Sequence, residues 1–303
     1  MSNPTLTSEF CELFQGRLDV YGTEEGGCVR VTDPTWETYV STIENHLYGD
    51  QTTGTYPMVE MDGDWFVLWG CVDFDEGDEP SYIHAMNLYT ILSHFGIATW
   101  LEKSRSKGWH CWVFADDWIP ATTMRRALLG ATETAKAPIK EINPKQETMA
   151  QGQVGNYVRL PYPNGWESNL RRCVIDPATS EVLPPTTFAS VALQTRATLQ
   201  MIEEVMGLWK APAKPKPRPM AYVDAPVNAG RMGPLSKHIL RSGPKEGNDR
   251  SSTLWTLANS LYRDGVSYSE ALDVMYEADR RWGKFLERDD AKYIDKMCSK
   301  IWG

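Results

Sequence analysis

The chain lacks the spacings that would tie its cysteines to a metal or to one another. None of the six cysteines forms a CxxC pair, and the five histidines complete no zinc-ligand pattern with them. A structural zinc is therefore not expected, and the apolar settings of Cys71 and Cys111 predict buried free thiols. Long apolar runs are missing too: none approaches the roughly 20 residues of a membrane span, and no leader-like segment opens the chain. The expectation is a soluble, cytoplasmic protein with no membrane partner. Basic residues are scarce in one region. Residues 1–80 hold two basic and seventeen acidic side chains, whereas residues 81–230 hold sixteen and twelve, and residues 231–303 thirteen and eleven. The net charge of −9 argues against nonspecific nucleic-acid binding, but it is concentrated at one end, so a basic groove can form from the remaining two thirds.

What is present is apolar content of 42 % in 303 residues, enough for one large domain and a smaller one. The most informative stretch is WFVLWGCVDFD at residues 65–75. A run this rich in Trp, Phe and Val reads as a central strand, and it ends on two acids one residue apart. Residues i and i+2 of a strand share a face, so Asp73 and Asp75 point the same way with Phe74 opposite. Two carboxylates aimed at one point repel unless a cation lies between them. The pair therefore reads as a divalent-metal site at a strand end, or else as the start of the acidic loop DFDEGDE.

Around this strand the pattern predicts an edge hairpin near the GG pair at 26–27, a helix opened by Asp33-Pro34, and a short strand at 58–62 turning at Asp62-Gly63. A helix follows over 81–95 with Ile83, Met86 and Leu92 at helical spacing and Gly96 as its stop. Short strands are predicted at 97–101, 109–114, 138–143 and 171–176, a helix over 120–136, and one long helix over 188–209. Pro161 and Pro163 exclude a central strand there and leave a shaped loop or an edge. This order suits a mixed or antiparallel sheet covered by helices. Residues 210–234 contain KAPAKPKPRP, which cannot pack as a core and reads as a semi-rigid linker between a domain at 1–209 and a helical domain at 235–303. In the latter, Leu254, Leu257, Ala258 and Leu261 share a face, and Ser267 with Glu270 forms a capping box.

Three further groups can carry chemistry. Alternation puts His110 and Trp112 on one face of the WHCWVF strand, directly after Ser104, Arg105, Ser106, Lys107 and Gly108. A hydroxyl, two cations and a glycine beside an imidazole suit phosphate oxygens, though a solvated loop and a structural histidine would read the same. Glu141 becomes a third acid only if sheet order brings residues 139–142 beside the strand that ends at Asp75; otherwise it is an exposed glutamate. Asn156, Tyr157 and Arg159 can hold a template or an incoming nucleotide, or brace a loop.

Taken together these motifs resemble the archaeo-eukaryotic primase superfamily, in particular the primase-polymerases of phages, plasmids and mobile elements. WGCVDFD is similar to its first motif, SRSKGWHCWVF to its second, KEINPKQ to its third-acid strand, and GNYVRLPYP to the segment that follows. The likeness covers about residues 55–165, with a looser similarity of GNDRSSTLWTLANSLYRDGVSYSEAL to a small helical domain behind such cores. It implies an α+β core with an RRM-like sheet and an all-helical C-terminal domain. It implies a nucleotidyltransferase acting in DNA replication, making and extending primers on single-stranded DNA from NTPs or dNTPs. In family terms Asp73, Asp75 and Glu141 are catalytic and hold two divalent ions, Mg or Mn, while Ser104, Arg105, Lys107, His110, Asn156 and Arg159 bind the nucleotide. The zinc ligands many members insert near the site are absent from this chain.

Two other functions share the chemistry or the partner: a primer-dependent DNA polymerase or terminal transferase, and a non-catalytic single-stranded-DNA-binding replication protein. A rolling-circle nuclease, which pairs histidines around its metal, is disfavoured by the single His110. The helical domain is expected to aid initiation through Arg241, Lys245, Arg250 and Ser251, and a separate replicative helicase is an expected partner.

Overall fold

The run at residues 65–75 forms the long central strand of the computed structural model, which describes residues 2–150, 152–211, 232–244, 250–283, 285 and 292–303. The chain divides into two units, Met1–Ala211 and Pro212–Gly303. In chain order the first carries α1 (Pro4–Leu13), β1 (Val20–Gly22), β2 (Cys28–Arg30), α2 (Trp36–Tyr48), β3 (Gly54–Thr55), β4 (Val59–Met61), β5 (Asp64–Phe74) and α3 (Asp78–His94). There follow β6 (Trp100–Lys103), β7 (Trp109–Pro120), α4 (Ala121–Thr134), β8 (Glu141–Asn143), β9 (Val158–Arg159), β10 (Cys173–Ile175), α5 (Pro185–Gln194) and α6 (Leu199–Met206).

The larger sheet is antiparallel, in the order β10-β6-β7-β5-β4, with β8 on β5 as well. Because β7 occupies one edge of β5, β4 and β8 share the other, β4 at its start and β8 at its end. The segment from β5 to β8 is thus a βαββαβ unit of strand order β8-β5-β7-β6, two split βαβ crossovers interleaved. The turn from β4 to β5 is made by Asp62 and Gly63, both with positive φ (53° and 88°), the two-residue geometry that matches strand twist. A smaller sheet, β2-β1-β3-β9, lies in the same unit.

Alternation divides the core into two layers. Val72 and Phe74 of β5 with Cys111, Val113 and Ala115 of β7 pack under Ala85, Leu88 and Leu92 of α3, Met124 and Leu128 of α4, and Ile202 and Val205 of α6. On the other face Trp69, Cys71, Trp112 and Phe114 pack with Phe10 of α1, Phe14 just after it, Ile43 of α2 and Phe188 of α5. Trp69 and Trp112 meet at 5.3 Å between ring centroids, and Phe14 stands edge-on to Trp112 at 5.1 Å. Cys71 and Cys111 are buried free thiols, and burial pushes both far above the ordinary thiol range.

Several boundaries differ from the sequence reading, each for a local reason. Helix α1 was not expected; Asn3 caps it by accepting from the amides of Thr5 and Leu6, and Pro4 opens it. Thr35 rather than Asp33 caps α2, through a reciprocal pair with Thr38. The buried face of α3 is Ser81, Ala85, Leu88 and Leu92, and Ile83 points to solvent. Strand β7 continues to Pro120 past a register irregularity opposite Val67 and Trp69. The expected long helix at 188–209 is two, α5 and α6, because the connection between them brings Ala197 against β7, its N–H donating to the Phe114 carbonyl at 2.8 Å.

The second unit is helical, with α7 (Pro234–Ser242), α8 (Arg250–Arg263), α9 (Tyr268–Trp282) and α10 (Lys292–Trp302). Leu254, Leu257, Ala258 and Leu261 of α8 pack with Val274, Met275 and Ala278 of α9 and Ile294 and Met297 of α10. The capping box at Ser267 and Glu270 is present. Most of the expected linker, residues 212–231, lies outside the described residues. Among the described residues no helix is long and apolar enough to cross a membrane.

Candidate active site

The rows on the Trp69 face of the sheet turn from apolar to charged as β5 reaches its end. Trp69 pairs with Phe114, Cys71 with Trp112, and then Asp73 with His110. The last row extends both ways, since Glu141 of β8 pairs with Asp73 and Glu102 of β6 pairs with His110. Side chains at paired positions share a face, so four strands present Glu141, Asp73, His110 and Glu102 side by side. This row, with Asp75 just beyond β5, lines a cavity of about 190 Å³, several times the ~30 Å³ share of one water. Sheet order thus brings the third acid beside the first two.

Within the row the histidine is held from both sides. Its Nδ1–H donates to Glu102 Oε2 at 2.9 Å, and the Trp112 indole N–H donates to the same oxygen at 2.7 Å. Its Nε2 stands 3.7 Å from Asp73 Oδ2. Burial opposes a charged imidazole, but Glu102 and Asp73 outweigh it and hold the His110 pKa well above 6.5. Burial likewise raises the Asp73 carboxyl, while the adjoining imidazolium and the charge of Lys145 outweigh that and bring it below 3.8. Glu102 is 1 % exposed, and the sequence reading passed over it.

The lining also includes cations. Arg105, Arg159 and Arg172 line the same cavity, with Tyr157 between strand and loop. The Tyr157 ring lies across Gly22 and Gly54, where a Cβ would come within 2.2 and 2.3 Å of it, and its hydroxyl donates to the Thr23 carbonyl at 3.0 Å. Arg172, also unforeseen, has its backbone pinned to the end of β6, its N–H donating to the Lys103 carbonyl at 2.6 Å. All three guanidiniums surround Glu24, from the turn between β1 and β2.

Ser104 is buried, and its Oγ accepts from the Gly108 amide at 3.1 Å, closing the loop that carries Arg105. Lys107 is exposed and Asn156 half-buried, and neither lines the cavity. Asn143 does line it, buried, with a side-chain oxygen that has no partner among the described residues. In the helical unit Arg241 is exposed in the last turn of α7, Arg250 donates to the carbonyl of Trp282 at 2.9 Å and to that of Gly283, and Ser251 lies in the first turn of α8. Lys245 lies outside the described residues.

Among the described residues no three His, Cys, Asp or Glu side chains are drawn together tightly enough to hold a metal ion. Asp73, Asp75 and Glu141 form an acidic rim rather than a closed cage. The donors are nonetheless those a hard divalent cation takes, all carboxylate oxygens. A cationic group already stands among them: the Lys145 ammonium is 3.1 Å from Glu141 Oε1, and its charge reaches Asp73.

A search of curated proteins finds no match. The chain is similar to one solved structure described as the crystal structure of primase RepB', over 99 % of this chain and 94 % of that one, at 16 % identity and a TM-score of 0.32. Residues 23–188, more than half of the chain, match the family described as the archaeo-eukaryotic primase domain of the TOTE conflict system, and the chain belongs to that family.

Proposed function

We propose that this chain is a DNA-directed primase-polymerase, joining nucleotides on a single-stranded template. The observation that carries the reading is one cavity lined by both a set of acids (Asp73, Asp75 and Glu141) and a set of arginines (Arg105, Arg159 and Arg172). A nucleoside triphosphate with its counter-cation has this polarity. Its phosphates seek guanidiniums, and its cation seeks carboxylates.

Asp73, Asp75 and Glu141 would hold the divalent ions, Mg or Mn. Bound there, such ions supply a lowered pKa for the attacking 3′-hydroxyl and charge stabilisation at the transferring phosphoryl group. The chain's own groups do the rest. Glu102, fixing Nδ1–H of His110, leaves Nε2–H to donate toward a phosphate oxygen. Arg105, Arg159 and Arg172 neutralise the β- and γ-phosphates. The 3′-hydroxyl gives up its proton to solvent, its oxygen bonds the α-phosphorus, the bond from that phosphorus to its bridging oxygen breaks, and pyrophosphate leaves past the arginines. The helical unit serves as a second clamp during initiation, with Arg241 and Arg250 exposed on it.

The test offers single-stranded DNA with labelled NTPs or dNTPs and no primer. The wild type yields oligonucleotides that require Mg or Mn, and Asp73→Ala/Asp75→Ala yields none. Absence of product in every nucleotide condition removes priming, and extension of an added primer would then leave a polymerase alone. Deleting residues 220–303 tests the clamp; unchanged priming overturns it.

A further inference from the structure

The three arginines of the cavity wall are engaged by one acid of the chain itself. Arg105 donates to Glu24 Oε1 at 2.6 Å, and Arg172 donates to the same oxygen. Arg159 donates through a terminal nitrogen to the Glu24 carbonyl at 2.8 Å, while its Nε stands 4.0 Å from Glu24 Oε2. That Nε and that Oε2 are both buried without a hydrogen-bond partner among the described residues. Three guanidiniums thus share a carboxylate that satisfies them incompletely. An anion with more oxygens would leave fewer donors unmet.

Glu24 also sits on a lightly paired support. It sits in the turn between β1 and β2, two strands of three residues each. β2 is the edge of its sheet, paired only with β1, and all three of its residues are exposed. The turn itself is held by the Gly27 amide on Thr23 Oγ1 at 3.2 Å, the Tyr157 hydroxyl on the Thr23 carbonyl at 3.0 Å and the Arg159 bond to the Glu24 carbonyl. Two of the three arginines are anchored through backbone. Arg159 lies in β9 against β3, and the Arg172 backbone bonds to Lys103 at the end of β6 and to Tyr162. Of the two sides of this ion cluster, the acid sits on the shorter and more exposed support, and its departure breaks its ion pairs with Arg105 and Arg172 and loosens the bonds of Tyr157 and Arg159 to the turn.

We propose that Glu24 is a built-in competitor, occupying the polyphosphate place of Arg105, Arg159 and Arg172 until a triphosphate tail displaces it. The inference rests on reading the cavity as a triphosphate site and adds its regulation. Displacement lowers apparent affinity by the fraction of molecules in which the arginines are free. Removing the carboxylate charge therefore tightens binding, the reverse of what loss of a structural brace does.

The test is calorimetric titration of the full chain with sodium tripolyphosphate in EDTA, which separates binding from catalysis. Glu24→Gln is expected to lower Kd about tenfold, equivalent to about 1.4 kcal/mol, at matched ionic strength. Equal or weaker binding by Glu24→Gln overturns the proposal while leaving the triphosphate reading intact. No binding by either protein overturns both. A gain confined to an unphosphorylated oligothymidine would make the arginines a strand-backbone site and likewise overturn it. Should the variant not fold, amide exchange in the wild type decides. Tripolyphosphate is expected to speed exchange across residues 20–30, and unchanged protection there refutes displacement.

Discussion

Glu102 and His110 are register partners on β6 and β7, and Glu102 Oε2 accepts both the imidazole Nδ1–H at 2.9 Å and the Trp112 indole N–H at 2.7 Å. One buried carboxylate thereby fixes the orientation of the histidine that faces Asp73 and, with Asp73, favours its charged form. Glu102 touches no reacting atom and is a positioning residue.

Replacing it separates charge from shape. Glu102→Gln keeps an acceptor oxygen and nearly the same volume, so the fold is expected to survive. The His110 titration, followed by NMR, is expected to fall back toward 6.5 because the nearest raising charge is gone. Synthesis should then weaken as pH rises through the lowered value, whereas the wild type holds its rate there. Glu102→Ala leaves two buried donors unmet and is expected to cost about 2–4 kcal/mol of stability. An unmoved His110 titration in Glu102→Gln would show that Asp73 alone sustains the charge.

How much of this was legible beforehand follows from the range of the interactions involved. The charged end of β5, the turn at Asp62-Gly63 and the capping box at Ser267 are written within a few consecutive residues, and each is present. Glu141 was conditional on sheet order, and the split βαβ connections bring it beside Asp73. Glu24, Glu102 and Arg172 were not legible, because their importance lies in register and in approaches across 8 to 148 residues of sequence. The break between α5 and α6 was hidden for the same reason. A continuous apolar pattern does not reveal that Ala197 must bond to β7. Helix α1 was a different failure, since Asn3-Pro4 is a local start signal that went unused.

The loop carrying Arg105 depends on one position without a side chain. A Cβ at Gly108 would stand 2.5 Å from the Phe74 carbonyl oxygen and 3.1 Å from Ser104 Oγ. The first of these is backbone of the strand that ends in the acids, so it cannot swing aside. Gly108→Ala is expected to lower stability by about 1–3 kcal/mol, measured by denaturant unfolding, and to raise the nucleotide KM as the loop lifts away from Asp75. Lys107→Ala, one residue away and exposed, should change stability by less than about 0.5 kcal/mol. Equal stabilities for the two variants would mean that the loop accommodates a methyl group by shifting as a body.

His46 links pH to the stability of the cavity's support. It is fully buried on α2, its Nε2 bonds to the Pro161 carbonyl at 2.9 Å, and its Nδ1 accepts from the Thr53 amide at 3.1 Å. The ring thus ties the helix to the chain on either side of β3 and β9. Accepting at Nδ1 requires that nitrogen to be unprotonated, and burial pushes the pKa down to about 4 from 6.5. Between these values the unfolded chain binds a proton that the folded chain refuses, so stability rises with pH across that window. The contribution is complete above about pH 6.5 and is lost on descending toward pH 4, a change of about 3 kcal/mol. Glutamine at this position has no such linkage. The stability gap between wild type and His46→Gln, from urea unfolding at a series of pH values, is therefore expected to shrink by about 3 kcal/mol from pH 7 to pH 4. Parallel curves would mean that the imidazole takes up its proton in the folded state, which its bond to the Thr53 amide forbids.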